Sequence, residues 1–146
     1  MGLLEPLFNK LFPPLTLYVR LCRNKLEVRC IETKANIIKS SSIDFSNDRL
    51  LIADFLIAEE FLMELIDDVL DQKGNFLQKK IQIVLQPIDR NIATFCSVER
   101  KTCRDFAEFS GASKLWLCLD QSLLTDDQVV KLMDDDTELL SEHLRR

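Results

Sequence analysis

Between Ile81 and Leu119 the chain runs apolar, then amphipathic, then apolar again, and this interval constrains the fold more than any other. Ile81, Ile83, Val84 and Leu85 form a short run ended by Pro87, which reads as a buried strand. A helix begins near Ser97, with Val98, Thr102, Phe106 and Phe109 on its inner face and Gly111 as its C-terminal stop. Leu115 to Leu119 is a second short buried strand. Strand, helix and strand in this order are what a right-handed parallel crossover requires, so the sheet is at least partly parallel.

The remaining elements fit around that unit. Leu15 to Cys22 and Leu26 to Ile31 read as two strands flanking a polar turn at Arg23, Asn24 and Lys25, and Ala35 to Ile38 adds a third. The clearest helix starts after Asp54, a residue suited to an N-cap. Its apolar stripe is Ala58, Phe61, Leu62, Leu65, Ile66 and Val69, with Glu59, Glu60, Glu64, Asp67, Asp68 and Asp71 mainly off it. Thr125 and Gln128 form a capping-box pattern that opens a last helix through Met133. The fold class is therefore α/β, a mixed sheet with helices on its faces. The expected core includes Leu17, Val19, Phe61, Leu62, Leu65, Ile83, Phe106 and Leu117. Three segments follow: an amphipathic helix over 1–14, an α/β domain over 15–121, and an acidic helical tail over 122–146.

Composition narrows the function. A net charge of −5 argues against nucleic acid, because phosphate binding needs a concentrated surplus of Lys and Arg. The 5 cysteines are odd in number and lack CxxC spacing, which fits a reducing cytoplasm. Cys103 and Cys118 read as core residues, and with 1 His in the chain no metal site is expected. His143 lies in a polar tail, Asp134, Asp135 and Asp136 read as a solvated helix segment, and Trp116 reads as core. No apolar stretch approaches the roughly 20 residues of a membrane span.

Several segments, in order, resemble the bacterial actin-like MreB family. Ile52-Ala53-Asp54-Phe55, continuing to Ile66, resembles its IADF-led helix. Val98-Glu99-Arg100 resembles the start of its VERRAI helix, and Gly111-Ala112-Ser113-Lys114-Leu115-Trp116-Leu117 its GA-[SR]-x-V-[FY]-L segment. The resemblance covers most of Leu15 to Asp120. It implies one lobe of an actin-like, ribonuclease-H-like fold without the family's small outer subdomain.

The same resemblance argues against catalysis. The family's first phosphate hairpin reads approximately DLGTAN, and Tyr18-Val19-Arg20-Leu21-Cys22-Arg23 stands in its place. The metal-side Asp has become Tyr18 and the glycine Arg20, so the backbone approach that cradles phosphate is obstructed. Asp120 stands at the family's water-positioning glutamate. Arg20 and Arg23 could bind an anion, although a solvated hairpin is the plainer reading. The expectation is a chain with no enzymatic activity and no cofactor, acting as an interaction or scaffold protein related to the actin-like cell-shape cytoskeleton. Its partner would be an actin-like filament protein or a second copy. The alternatives are an adaptor in a membrane-associated assembly such as a pilus or secretion machine, or a nucleotide-binding remnant completed by another subunit. Leu3, Leu4, Leu7, Phe8, Leu11 and Phe12 gather on one face of a short helix, which would dock on a membrane or a partner surface, or pack against its own domain or a second copy. The expected location is the cytoplasm, including the inner face of the cell membrane.

Overall fold

Alternation along Leu15–Cys22 sends Leu15, Leu17, Val19 and Leu21 to one side of the chain and Thr16, Tyr18, Arg20 and Cys22 to the other. Both sides are used. The computed structural model of the protein describes residues 13–70 and 80–134, and in it this segment is the central strand of a five-stranded sheet. The strands are β1 (Leu15–Cys22), β2 (Lys25–Cys30), β3 (Asn36–Ser40), β4 (Ile81–Pro87) and β5 (Lys114–Leu117), in the order β3-β2-β1-β4-β5. β1, β2 and β3 pair antiparallel, whereas β4 lies parallel to β1 and β5 parallel to β4. This is the mixed sheet expected from sequence, with its early hairpin and its parallel pair.

Helices cover the two faces unequally. On the first face α1 (Phe55–Leu70) and α2 (Ser97–Phe109) pack through Ala58, Leu62, Leu65, Cys103, Phe106 and Ala107 onto Leu17, Val19, Ile83, Leu85, Leu115 and Leu117. All eight residues expected in the core are buried. On the second face α3 (Asp126–Asp134) packs through Val129 over Tyr18, Val84, Trp116 and Cys118.

The helix ends follow their capping chemistry. Asp54 accepts the Ile57 N–H at 3.2 Å, as an N-cap side chain should. Thr125 and Gln128 bond each other's main-chain N–H at 2.8 and 3.2 Å, which completes the expected capping box. After α2, Gly111 takes φ 88° and its N–H reaches the Glu108 carbonyl at 2.9 Å. A Cβ at Gly111 would meet nothing within 4 Å, so the backbone angle is what calls for glycine there.

Three expectations need correction. Val98 and Phe109 are 70% and 66% exposed, so they do not belong to the inner face of α2. That face is Cys103, Phe106 and Ala107, whose small members let the helix approach the sheet. Glu59, expected among the polar residues of α1, is buried. The strand expected over Leu115 to Leu119 begins and ends earlier, as Lys114–Leu117. Leu3, Leu4, Leu7, Phe8, Leu11, Phe12, Asp135, Asp136 and His143 lie outside the described residues.

Candidate functional site

The C-terminal ends of β1, β4 and β5 lie side by side, the edge at which open α/β sheets place ligands. In register, Tyr18 stands beside Val84 and Arg20 beside Gln86, and all but Val84 of these meet in one polar cluster. Gln86 is at its centre, fully buried. Its Oε1 accepts from the Tyr18 hydroxyl at 2.5 Å and from Arg20 Nε at 3.1 Å. Its Nε2 donates to the Asp120 carbonyl at 2.8 Å and the Ser122 carbonyl at 2.9 Å. A side-chain amide offers two donors and two acceptor sites, so Gln86 is saturated.

The neighbours are matched as well. The Tyr18 oxygen also accepts the Leu124 N–H at 3.1 Å, which ties the entry to α3 into the sheet. Arg29, opposite Tyr18 on β2, lays its guanidinium 5.3 Å from the ring centroid. Burial pushes the Tyr18 hydroxyl pKa up, with the Leu124 hydrogen bond opposing the rise, so the group is neutral at ordinary pH. Arg20 also faces Glu27 across the hairpin at 3.4 Å, and Glu27 lies 3.9 Å from Arg29. Opposite charges at paired positions are the favourable cross-strand arrangement.

The turn of the hairpin is equally committed. Asn24 sits at φ 54°, a left-handed angle that Asn tolerates better than most side chains. Its Oδ1 accepts the Phe45 and Ser46 N–H groups at 2.9 and 2.7 Å, and its own N–H donates to Ser46 Oγ at 2.9 Å. Arg23 bonds the Asn47 carbonyl and lies 3.4 Å from Asp89, a carboxylate that is itself buried. Arg20 and Arg23 each face a carboxylate of the chain, Glu27 and Asp89, and the Asn24 N–H of the turn is bonded to Ser46.

The sequence-derived residues are therefore brought together in part. Tyr18 and Arg20 meet at Gln86, and Asp120 joins through its carbonyl while its side chain is exposed. Arg23 belongs to a separate contact with Asp89 and Asn47. Gln86 and Asp89 were not singled out from sequence. Gln86 had one signal, a polar residue beside Pro87 at the end of an otherwise apolar strand. Among the described residues no three His, Cys, Asp or Glu side chains are grouped to hold a metal ion, and no helix is long and apolar enough to cross a membrane.

No protein-family model matches the chain. It is 34% identical over 88 residues to the uncharacterized protein YjaA of Escherichia coli, an alignment covering 58% of this chain and 68% of that protein. The chain belongs to the YjaA family. Among solved structures it is similar to the ethanolamine utilization protein EutJ from Carboxydothermus hydrogenoformans, with a TM-score of 0.49 and 19% sequence identity. That superposition covers 74% of this chain and 37% of EutJ, so this member of the YjaA family spans little more than a third of EutJ's length.

Proposed function

We propose that this protein is a non-catalytic interaction or scaffold protein, built on one actin-like, ribonuclease-H-like lobe and related to the bacterial MreB cell-shape system. The observation that carries this reading is the saturated Gln86 cluster. Where the resembling family would place its metal-side Asp and phosphate-loop glycine, this chain places a neutral buried tyrosine and an arginine bonded to Gln86. Metal-assisted phosphoryl transfer needs open donors and a carboxylate aimed at the transferring group. Here Arg20 is engaged by Gln86 and Glu27, and Asp120 is exposed.

The positions of the resembling segments support the same reading. Ile52 to Phe55 leads into α1, Val98 to Arg100 lies at the start of α2, and Gly111 to Leu117 forms the turn and strand β5. A scaffold of this kind would present its helix-covered faces to an actin-like filament protein or to a second copy, in the cytoplasm or at the inner face of the membrane. Calorimetric titration of the full chain with ATP and magnesium, joined to a phosphate-release assay, tests the reading. No heat of binding and no release are expected. Micromolar binding that is lost on substitution within Tyr18–Asn24 would overturn it in favour of a nucleotide site completed by another subunit.

A further inference from the structure

Helix α1 carries Glu59, Glu60, Glu64, Asp67 and Asp68 and no Lys or Arg. Glu60 and Glu64 stand four residues apart, as do Glu64 and Asp68, and like charges at that spacing oppose the helix that holds them. Lys39 on β3 answers Glu64 at 3.1 Å. The acidic flank is also greasy. Leu56 is 68% exposed on α1, and Met63 lines an open concavity of about 400 Å³ with Phe109 of α2, Glu59, Glu60, Glu64 and Asp67.

Glu59 is the unusual member. It is 5% exposed, and among the described residues its Oε2 has no hydrogen-bond partner. Desolvation first, and the neighbouring Glu60 second, push its carboxyl pKa up. A buried, unmatched carboxylate weakens the free protein, and a cation delivered to it would remove the penalty. The acids are also spread along the helix, because Glu60 and Asp67 are seven residues and about 10 Å of helix rise apart. A single ion cannot reach both, whereas a peptide with several basic side chains can.

Resting on the interaction reading above, we propose that this concavity docks a basic amphipathic segment of a partner protein. One Lys or Arg reaches Glu59, apolar side chains sit on Met63 and Phe109, and further basic side chains run along Glu60 and Asp67. The arrangement joins a buried charged contact to aromatic and aliphatic anchors, the combination that concentrates binding energy at interfaces.

The test uses the full chain and a labelled designed helix with Leu on one face and Arg on the other, followed by fluorescence anisotropy. Saturable, salt-sensitive binding is expected. It should weaken by about tenfold in Glu59→Gln, in Glu60→Lys with Asp67→Lys, and in Phe109→Ser. Glu59→Gln should also raise the melting temperature at neutral pH, because it removes the unmatched charge; a purely structural glutamate would instead lower it. An oligoarginine without Leu that binds as well, or a Phe109→Ser variant that binds normally, would reduce the surface to general charge attraction and overturn the proposal. Displacement of the peptide by one equivalent of calcium would overturn it in favour of a cation site. Absence of binding overturns it outright, yet leaves the non-catalytic reading to be judged by the ATP titration.

Discussion

The two faces of one sheet hold their helices in different ways. Toward α1 and α2, β1 and β4 offer Leu17, Val19, Ile83 and Leu85, and adhesion is apolar contact over a broad area. Toward α3 the same strands offer Tyr18 and Val84, which pack with Trp116 and Cys118 against Val129. Directional bonds are added to that contact, from the Leu124 N–H to Tyr18 and from Arg29 to Asp126, beside the Gln86 cluster. Apolar contact has no required angle, so the first face can shift and repack when altered. The second face is brittle, since removing one partner strands the others without water to replace it.

That contrast can be broken by substitution. Leu65→Ala under α1 should lower stability by about 2–5 kcal/mol in chemical denaturation, since Leu65 is fully buried and a cavity remains. Gln86→Leu under α3 should lower it by about 1–3 kcal/mol, because the Tyr18 hydroxyl and Arg20 Nε lose their shared acceptor. Tyr18→Phe combined with Gln86→Leu should cost less than the sum of the two single changes, as members of one network must. Additivity would show that the cluster is not a unit and that the comparison of faces is wrong.

Protonation sharpens the contrast, because the faces respond to pH with opposite sign. Asp126 at the start of α3 is held below the ordinary aspartate value of 3.8, first by its hydrogen bond with Lys34 at 2.6 Å and then by Arg29 at 3.2 Å. Its contribution is complete above 3.8 and is lost as pH falls through the lowered value. Asp126→Asn should cost about 1 kcal/mol or less at neutral pH, given the exposed Lys34, and should flatten the acid limb of a stability-versus-pH curve. Glu59 behaves the other way. Its pKa lies above the ordinary 4.5, so its favourable state exists below 4.5 and stability falls as pH rises through the raised value. Glu59→Gln should erase that fall, whereas an unchanged curve would mean the carboxylate is matched in solution. The smallest effect concerns the thiols. Burial pushes Cys103 up to about 12, so iodoacetamide should label exposed Cys96 at once and leave Cys103 untouched until unfolding.

The sequence was most informative where one residue's position carries its own reason. Alternation marked β1, the stripe from Ala58 to Val69 marked α1, and Thr125 with Gln128 marked the start of α3. It was least informative where meaning depends on what lies opposite. Periodicity reveals a helical stripe but not how far the sheet extends beneath it, so helical spacing alone places Val98 and Phe109 inward although both are exposed. Gln86 became interpretable only through its register with Arg20, a partner 66 positions away. Tyr18 reads in the sequence as one residue of an alternating strand, and its hydrogen bond with the Leu124 N–H depends on a segment 106 positions along the chain.

The central position of β1 has a kinetic consequence. On one side it joins β2 through a two-residue turn, a closure of the kind completed in microseconds. On the other it must meet β4, with Leu15 beside Ile81, and that parallel pairing encloses a long loop before any contact repays the lost entropy. Completion of the sheet is thus governed by a search rather than by local propensity. During synthesis the hairpin leaves the ribosome well before β4 exists, with the flank of β1 that β4 will occupy still offering bare N–H and C=O groups. Any factor that shields that flank in the interval would decide the yield of folded protein without altering its final stability.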